Sequence, residues 1–454
     1  LKAGAGASLE FIILGGTVLT MGQAGRIREG AVVVEDDRII DVGPADELKT
    51  KYRRYERLTA DKCVIMPGLI NAHQHISMSL LRGYADDYPL REWLEEHIWP
   101  LEAKMTGYDM YVGSLLTCAE SLLGGVTTVN TMYHYAHPDW NEARAIAEMG
   151  MRGVVGHVCF SWRREEDRRA LEDLAKRWHG AENGRIRVSV DPHAPYTVGP
   201  DYMVELRRLT DELNERYGDK GPITFHIHVA ETADEPEKIK EAFGVEVRKG
   251  VFAYLDELGV LKPDVVAAHC VALTSQDIEI MAKRGVKAVH NPVSNMKLAS
   301  GICPVVDLLR AGVVVGLGTD GPCSNNTADM LETMKFAALL QKVARGDPTA
   351  LPAEAVLKMA TLNGAMALCW DEIGVIEPGK KADIIVIDLK KPHLTPLYSE
   401  ESHLVYAAKS SDVKTVLVDG QIVVGDGELK TMSLEKVMEM AEKAREDLLS
   451  RLEE

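Results

Sequence analysis

Short apolar runs broken by Gly and Asp open the chain, as FIILGGTVLTM and then AVVVEDDRIIDVG. Runs of this length, rich in β-branched residues and bounded by turn formers, predict strands of a small sheet. The texture returns near the end in KADIIVIDL at 381 to 389 and VKTVLVDGQIVVGDG at 413 to 427, with a DG turn inside the second. Two strand-rich ends around a long middle predict one composite β-sandwich domain, assigned to residues 1–67 and 376–430. From Ser433 onward, LEKVMEMAEKAREDLLSRLEE has helical periodicity without Gly or Pro and predicts a closing helix within 431–454.

The middle, 68–375, has a different rhythm. GLINAHQH, TTVNTM, RGVVGHVCF, RIRVSVDPH, ITFHIHVAE, VVAAHC, VKAVHNP and VVVGLGTDG alternate with amphipathic stretches such as DYMVELRRLTDELNERY. Eight apolar strands separated by helices are the count for a closed (β/α)8 barrel, an α/β fold whose chemistry gathers at the C-terminal strand ends. An open doubly wound sheet is the alternative. It would keep strands one, five, six and eight apart, together with the polar residues that end them.

His73 and His75 lie two apart at the end of the first barrel strand and so leave it on one face. His228 ends the fifth strand, His269 the sixth, and Asp320 the eighth. A buried ring nitrogen needs a partner, so a hydrogen-bonded core histidine is the bland explanation of each residue alone. As a set, imidazoles and a carboxylate at strand ends suit one divalent ion, Zn2+ foremost and Fe2+ next, with a position open for water. His226 shares a face with His228, and the ligand is assigned to His228 because it lies nearer the strand end. His269 is either a further ligand or a partner of the attacking water. Glu231, three residues past His228, is placed to accept and deliver protons, where a solvated loop acid is the plain alternative. Cys270 and Cys323 read as packing residues, and SNN at 324 to 326 either orients Asp320 or makes a turn.

Composition narrows the class. The formal charge of −17 argues against a nucleic-acid polymer or an anionic membrane as partner, since either would want a basic surface. No uncharged apolar run is long enough for a membrane span, and LKAGAGASLE lacks the regions of a secretory signal. Seven scattered cysteines without CxxC fit a reducing cytoplasm. The glycines of LGGTVLTMG and LLGGVTT form no phosphate-binding fingerprint.

The motifs PGLINAHQHISMSLLRG, HIHVAET, AAHC, HNPVSNMKLASG and GLGTDGPCSNN together resemble the amidohydrolase superfamily, in its branch of methylthioadenosine/S-adenosylhomocysteine deaminases and triazine chlorohydrolases. The resemblance runs to about Gly427. It implies a distorted (β/α)8 barrel beside the sandwich, with His73, His75, His228 and Asp320 as metal ligands. It further implies Glu231 as proton shuttle and substrate contact, and His269 and Asp320 as catalytic partners. Trp93 would offer a face to the base or its tail, Glu102 would hold ribose hydroxyls, and His193 would touch the substrate. Arg163, Arg164 and Arg168 compete for any carboxylate on that tail. The implied activity is metal-dependent hydrolytic deamination of an aminated N-heterocycle, foremost an adenosine-type nucleoside such as methylthioadenosine. A guanine or 8-oxoguanine-type nucleobase and a triazine are the alternative substrates, and a metal-free binding scaffold is the non-enzymatic one. A homodimer or higher homo-oligomer is expected from the same resemblance.

Overall fold

The computed structural model describes residues 9–135 and 137–453. The first eight residues, counted above in the sandwich and read as lacking a signal, lie outside the described residues, as do Ala136 and Glu454. Five strands come first: β1 (Glu10–Leu19), β2 (Arg26–Glu35), β3 (Arg38–Pro44), β4 (Glu56–Thr59) and β5 (Cys63–Pro67). Eight parallel strands follow: β6 (Leu69–Gln74), β7 (Val126–Tyr133), β8 (Arg152–Cys159), β9 (Ile186–Pro192), β10 (Thr224–Val229), β11 (Val265–His269), β12 (Lys287–His290) and β13 (Val315–Leu317). The chain then returns to the first domain with β14 (Ile384–Asp388), β15 (Val413–Val418), β16 (Gln421–Gly425) and β17 (Glu428–Leu429).

Each of the eight apolar runs becomes one barrel strand, paired in sequence order from β6 to β13. They are buried along almost their whole length, because the helices between them cover the outer face and side chains fill the inner one. The helices start where the sequence offers caps. Thr106 and Asp109 form a capping box for Gly107–Leu123, and Thr274 and Asp277 do the same for Ser275–Arg284. The barrel is distorted at the seam between β13 and β6. There the Ile70 N–H is donated to the Ala360 carbonyl, 2.8 Å away. Asn71 bridges the seam instead: its amide donates to Thr319 Oγ1 at 2.7 Å and accepts the Thr319 N–H at 3.0 Å. One residue on, the Asp320 N–H reaches the His73 carbonyl at 3.1 Å, so the first and last strand ends are held together at the catalytic rim.

The two ends of the chain form one sheet domain beside the barrel. Its strands make a single continuous path through both ends of the chain, β17-β16-β15-β14-β5-β1-β2-β3 with β4 added on β1. The reason is β1. It pairs with β4 through Phe11–Leu14 and with β5 through Thr17 and Val18, with register shifts about Gly16 between, so the sheet turns over on itself there. Phe11, Ile13, Val34, Ile65, Ile384 and Leu417 pack inside the turn. Antiparallel pairing of β14 with β5 joins the late segment to the early one directly ahead of the barrel. Only Gly68 separates β5 from β6, and a Cβ there would sit 2.1 Å from Thr127 Oγ1. The closing helix, Leu434–Glu453, packs on Gly107–Leu123 and pairs Arg451 with Asp109 at 2.8 Å.

Barrel and sheet domain are tied by a buried ion pair. Arg152, fully buried at the start of β8, donates Nε to Asp383 Oδ2 at 2.6 Å and Nη2 to Oδ1 at 3.0 Å. It also contacts Asp419 and lies 5.0 Å from the centre of the Trp370 ring. Removing one partner of such a pair leaves an uncompensated charge inside the protein. Arg152→Ala should therefore lower unfolding stability by about 3–5 kcal/mol, read from urea denaturation. A loss under about 1 kcal/mol would show that the interface does not depend on this pair.

Candidate active site

The strand ends bring the predicted residues to one point. His75 Nε2 lies 3.1 Å and His73 Nε2 3.3 Å from Asp320 Oδ1. His73, His75 and Asp320 form one group with potential ligand atoms within 4.8 Å of one another, and His73, His228 and His269 form a second. His73 belongs to both. His73, His228, His269 and Asp320 are buried, and His75 is half-buried.

Each imidazole is oriented by what it meets through Nδ1. His75 faces the Met132 carbonyl at 2.5 Å, His228 the His193 carbonyl at 2.7 Å, and His269 the side-chain oxygen of Asn295 at 2.9 Å. Oxygen acceptors demand Nδ1–H, which leaves the Nε2 lone pairs free to point inward. His73 differs, meeting another ring nitrogen, His226 Nε2, at 2.9 Å. Burial pushes His73 down to about 4 against the pull of Asp320, and burial likewise holds His228 well below its ordinary value. Neutral rings are what a cation requires. For His75, burial is outweighed by Asp320, which lifts it to about 9, while Asp320 is held far below a usual carboxyl despite its burial. Ser294 Oγ and Ser324 Oγ donate to Asp320 Oδ2 at 2.6 and 3.0 Å, and the Gly321 N–H donates to Oδ1 at 2.8 Å.

The cluster passes a direct test for a metal. His73 Nε2 is buried and makes no hydrogen bond among the described residues, even with Asp320 Oδ1 only 3.3 Å away. An unpartnered ring nitrogen at the centre of three other rings and a carboxylate suits Zn2+ or a similar ion.

Glu231 lies at the edge of the cluster, its Oε2 3.9 Å from His269 Nε2, and burial raises its carboxyl. Its direction is set by Ala230, which takes a left-handed φ of 53° as β10 ends. Glu235 holds that turn, accepting the Ala230 N–H at 3.0 Å and the Glu231 N–H at 3.1 Å.

Above the cluster opens a cleft of about 680 Å³, counting the space at its mouth. Trp93, Glu102 and His193 all line it. Trp93 is fixed by donating Nε1–H to the Ala85 carbonyl at 2.9 Å. Glu102 accepts the Tyr133 hydroxyl at 2.5 Å, and burial raises its carboxyl against that bond. The His193 ring stacks on Phe160 with centroids 4.9 Å apart. The three arginines separate. Arg163 faces an adjoining cleft with His134, 3.1 Å away, and Asp167. Arg164 lies on the Tyr202 ring, and Arg168 pairs with Glu172 and Glu212 on the helix surface. Cys270 is buried as packing, whereas Cys323 lines the cleft against Met78. Of SNN, Ser324 takes up Asp320 and Asn325 donates to the Thr319 carbonyl. Sequence reasoning missed Ser294, Asn295 and Glu235. Only Glu235 left a signal, an acid opening the helix that follows Glu231.

A barrel with such a cluster at the C-terminal ends of its first, fifth, sixth and eighth strands has the architecture of a metal-dependent hydrolase. The Amidohydrolase family model matches residues 64–423, and the chain belongs to that family. A model of the imidazolonepropionase-like composite domain of bacteria matches residues 30–53. The chain is 44% identical over 448 residues to a 5'-deoxyadenosine deaminase of Methanosarcina mazei, covering 98% of this chain and 99% of that protein. It is 45% identical over 438 residues to a 5-methylthioadenosine/S-adenosylhomocysteine deaminase of Syntrophobacter fumaroxidans, covering 95% and 96%. Among solved structures, an adenosine deaminase from Xanthomonas campestris with bound zinc superposes with a TM-score of 0.88 at 35% identity, over 97% of this chain and 99% of that one. Atrazine chlorohydrolase of Arthrobacter aurescens shares the fold with a TM-score of 0.85 at 22% identity, over 96% and 100%.

The clamp on the Glu231 turn is testable by itself. Glu235→Gln replaces one of two acceptor oxygens with an N–H donor, costing about 1–3 kcal/mol locally. Hydrogen exchange at the Ala230 and Glu231 amides should accelerate by roughly tenfold or more. Unchanged protection would mean that the turn holds without Glu235.

Proposed function

We propose that this chain is a metal-dependent hydrolytic deaminase of adenosine-type nucleosides, with His73, His75, His228 and Asp320 holding one divalent ion, zinc foremost. The observation that carries the reading is the convergence of four imidazoles and Asp320 beneath an acid-bearing cleft. It occurs in a chain 44% identical, over nearly its full length, to a 5'-deoxyadenosine deaminase. Likeness to the triazine enzyme at 22% identity speaks to fold alone, so that alternative gains no support.

A divalent ion in the cluster supplies Lewis acidity, bringing the pKa of water towards neutrality. The remaining work falls to side chains. Glu231 takes one proton from the attacking water and delivers it to the ring nitrogen beside the carbon that carries the amine. His269, its ring set by Asn295, steers that water from the side nearest Glu231. Asp320, with one oxygen held by Ser294 and Ser324, helps pass the second water proton to the departing amine. The water oxygen replaces nitrogen on the ring carbon, the ring nitrogen gains a proton, and ammonia leaves. Trp93 gives the base or the 5' end an apolar face, Glu102 accepts from the ribose hydroxyls, and His193 closes the cleft over the cluster. The same reading takes the enzyme as a cytoplasmic homodimer or higher homo-oligomer, and a persistent 50.0 kDa species in light scattering would refute the assembly.

Zinc-loaded protein should release ammonia from 5'-deoxyadenosine, methylthioadenosine or adenosine faster than from guanine or 8-oxoguanine. No release from any adenosine-type nucleoside would overturn the proposal. Glu231→Gln should keep its metal and lose about 100-fold or more in turnover, the scale of general acid–base catalysis. His228→Ala should lose metal and rate together, since it deletes a ligand. Metal content measured beside initial rates separates the two roles, and near-normal turnover in Glu231→Gln would remove Glu231 from the mechanism.

A further inference from the structure

Three of the four converging rings are locked by oxygen acceptors, but His73 is not. Its Nδ1 meets His226 Nε2 at 2.9 Å, and two ring nitrogens share one proton between them. If the proton is on His73, its Nε2 keeps a lone pair and can bind a cation. If it is on His226, a neutral His73 carries its hydrogen on Nε2 and cannot. The tautomer of His226 therefore decides whether His73 is a ligand.

His226 Nδ1 faces two groups with opposite demands. The Asn130 amide nitrogen lies 3.2 Å away, and its direction is set by its 2.9 Å bond to the Ala72 carbonyl. As a donor it favours a bare Nδ1, hence the tautomer that disables His73. On the other side, Asp191 Oδ2 lies 3.8 Å away and favours Nδ1–H. Asp191 is fully buried, and neither of its carboxylate oxygens has a hydrogen-bond partner among the described residues. It points across β8, where a Cβ on Gly156 would come within 1.6 Å of Oδ2. Gly156 thus leaves open space for this buried acid. Burial pushes the Asp191 carboxyl up, and Ser189, two residues earlier on the same face of β9, offsets only part of that cost.

We infer that Asp191 is a positioning residue for the metal site, acting through His226: it draws the proton of His226 to Nδ1, which fixes His73 as the Nδ1–H tautomer with Nε2 free. The chain His73–His226–Asp191 extends by one ring the usual device in which a carboxylate orients a metal-binding histidine. The inference requires Oδ2 to close by about 1 Å from its 3.8 Å separation to reach hydrogen-bond distance. A deep polar pair is retained here because it selects one of two proton arrangements. The inference rests on the reading of His73 as a ligand.

The test is zinc affinity, by competition with a chromogenic chelator, alongside urea denaturation of the metal-free protein. Wild type must bind zinc; if it does not, the site reading itself fails. Asp191→Leu keeps the side-chain outline and removes the acceptor. It should weaken zinc binding about 10- to 100-fold without lowering the stability of the metal-free protein, a loss that a merely structural acid would cause. His226→Leu removes the acceptor for His73 Nδ1–H and should show a similar affinity loss. His226→Gln offers an amide oxygen that accepts from His73 unaided, so affinity should stay within about threefold of wild type, and adding Asp191→Leu should then cost nothing more. Wild-type affinity in either leucine variant overturns the inference, as does a full Asp191→Leu penalty in the His226→Gln background. Should Asp191→Leu fail to fold, Asp191→Ala takes its place with the same expected loss of zinc affinity, and wild-type affinity in that variant overturns the inference.

Discussion

Four imidazoles can point their Nε2 atoms at one place only if something holds the opposite nitrogen of each ring. That constraint governs the catalytic end of the barrel. Met132 serves His75, His193 serves His228, and Asn295 serves His269. Two of these oxygens are main-chain carbonyls at or just past the ends of β7 and β9, so the register of the barrel itself sets ring orientation. A slip of one residue would turn each carbonyl away and reverse the faces of the strands. The seam at Asn71 matters for the same reason, since it holds the strand of His73 against the segment of Asp320.

Backbone strain is present where the strands end at the site. His269, Cys270, Asp320 and Ala230 take φ values of 73°, 49°, 64° and 53°, in the left-handed region that side chains avoid. Such conformations cost of order 1–3 kcal/mol each and persist only where surrounding bonds over-determine them. Here they do. The Asp320 N–H is held by the His73 carbonyl, the Cys270 N–H by Val229, and the Ala230 N–H by Glu235. The turn brings His269, Asp320 and the residue after Ala230 off the strand direction and in over the barrel axis. A regular strand would keep alternating sides and carry them past it.

Periodicity made the barrel legible because strands buried on both faces read as nearly unbroken apolar runs, and eight of them spaced by helices admit few folds. The converging residues were legible because histidine and aspartate at strand ends are costly unless they have a task. The partners were not. Ser294 and Asn295 reach the site from a short helix after β12, and no local pattern marks a serine as the group that holds a carboxylate, or an asparagine as the group that aims an imidazole, 26 residues away. The continuous path of the sheet domain was hidden for a similar reason, since the turn at Gly16 depends on two different partners for one strand. His226 was seen only as a rival to His228, because spacing reports which face a ring leaves from and not which nitrogen it offers.

Floor and roof of the cleft obey different rules. The floor consists of strand ends, and its chemistry follows from ring tautomers and charges that the barrel fixes. The roof comes largely from the long connection between β6 and β7, which supplies Trp93, Leu94, Trp99 and Glu102. That segment is anchored by few bonds, among them Trp93 to Ala85 and the contacts of Asp86 with Lys297 and Asn326. Lys297 Nζ also reaches the Cys323 carbonyl at 3.3 Å, so one ammonium joins the β6 connection, the helix after β12 and the loop after Asp320. On the proposed function, hydrolytic attack draws on the floor. Discrimination among aminated rings must then come from the roof. There an indole, a buried acid with a raised pKa and a stacked imidazole line the cleft, a mixture of apolar faces and few polar groups of the kind that selects among ligands by shape and hydrogen-bonding edge.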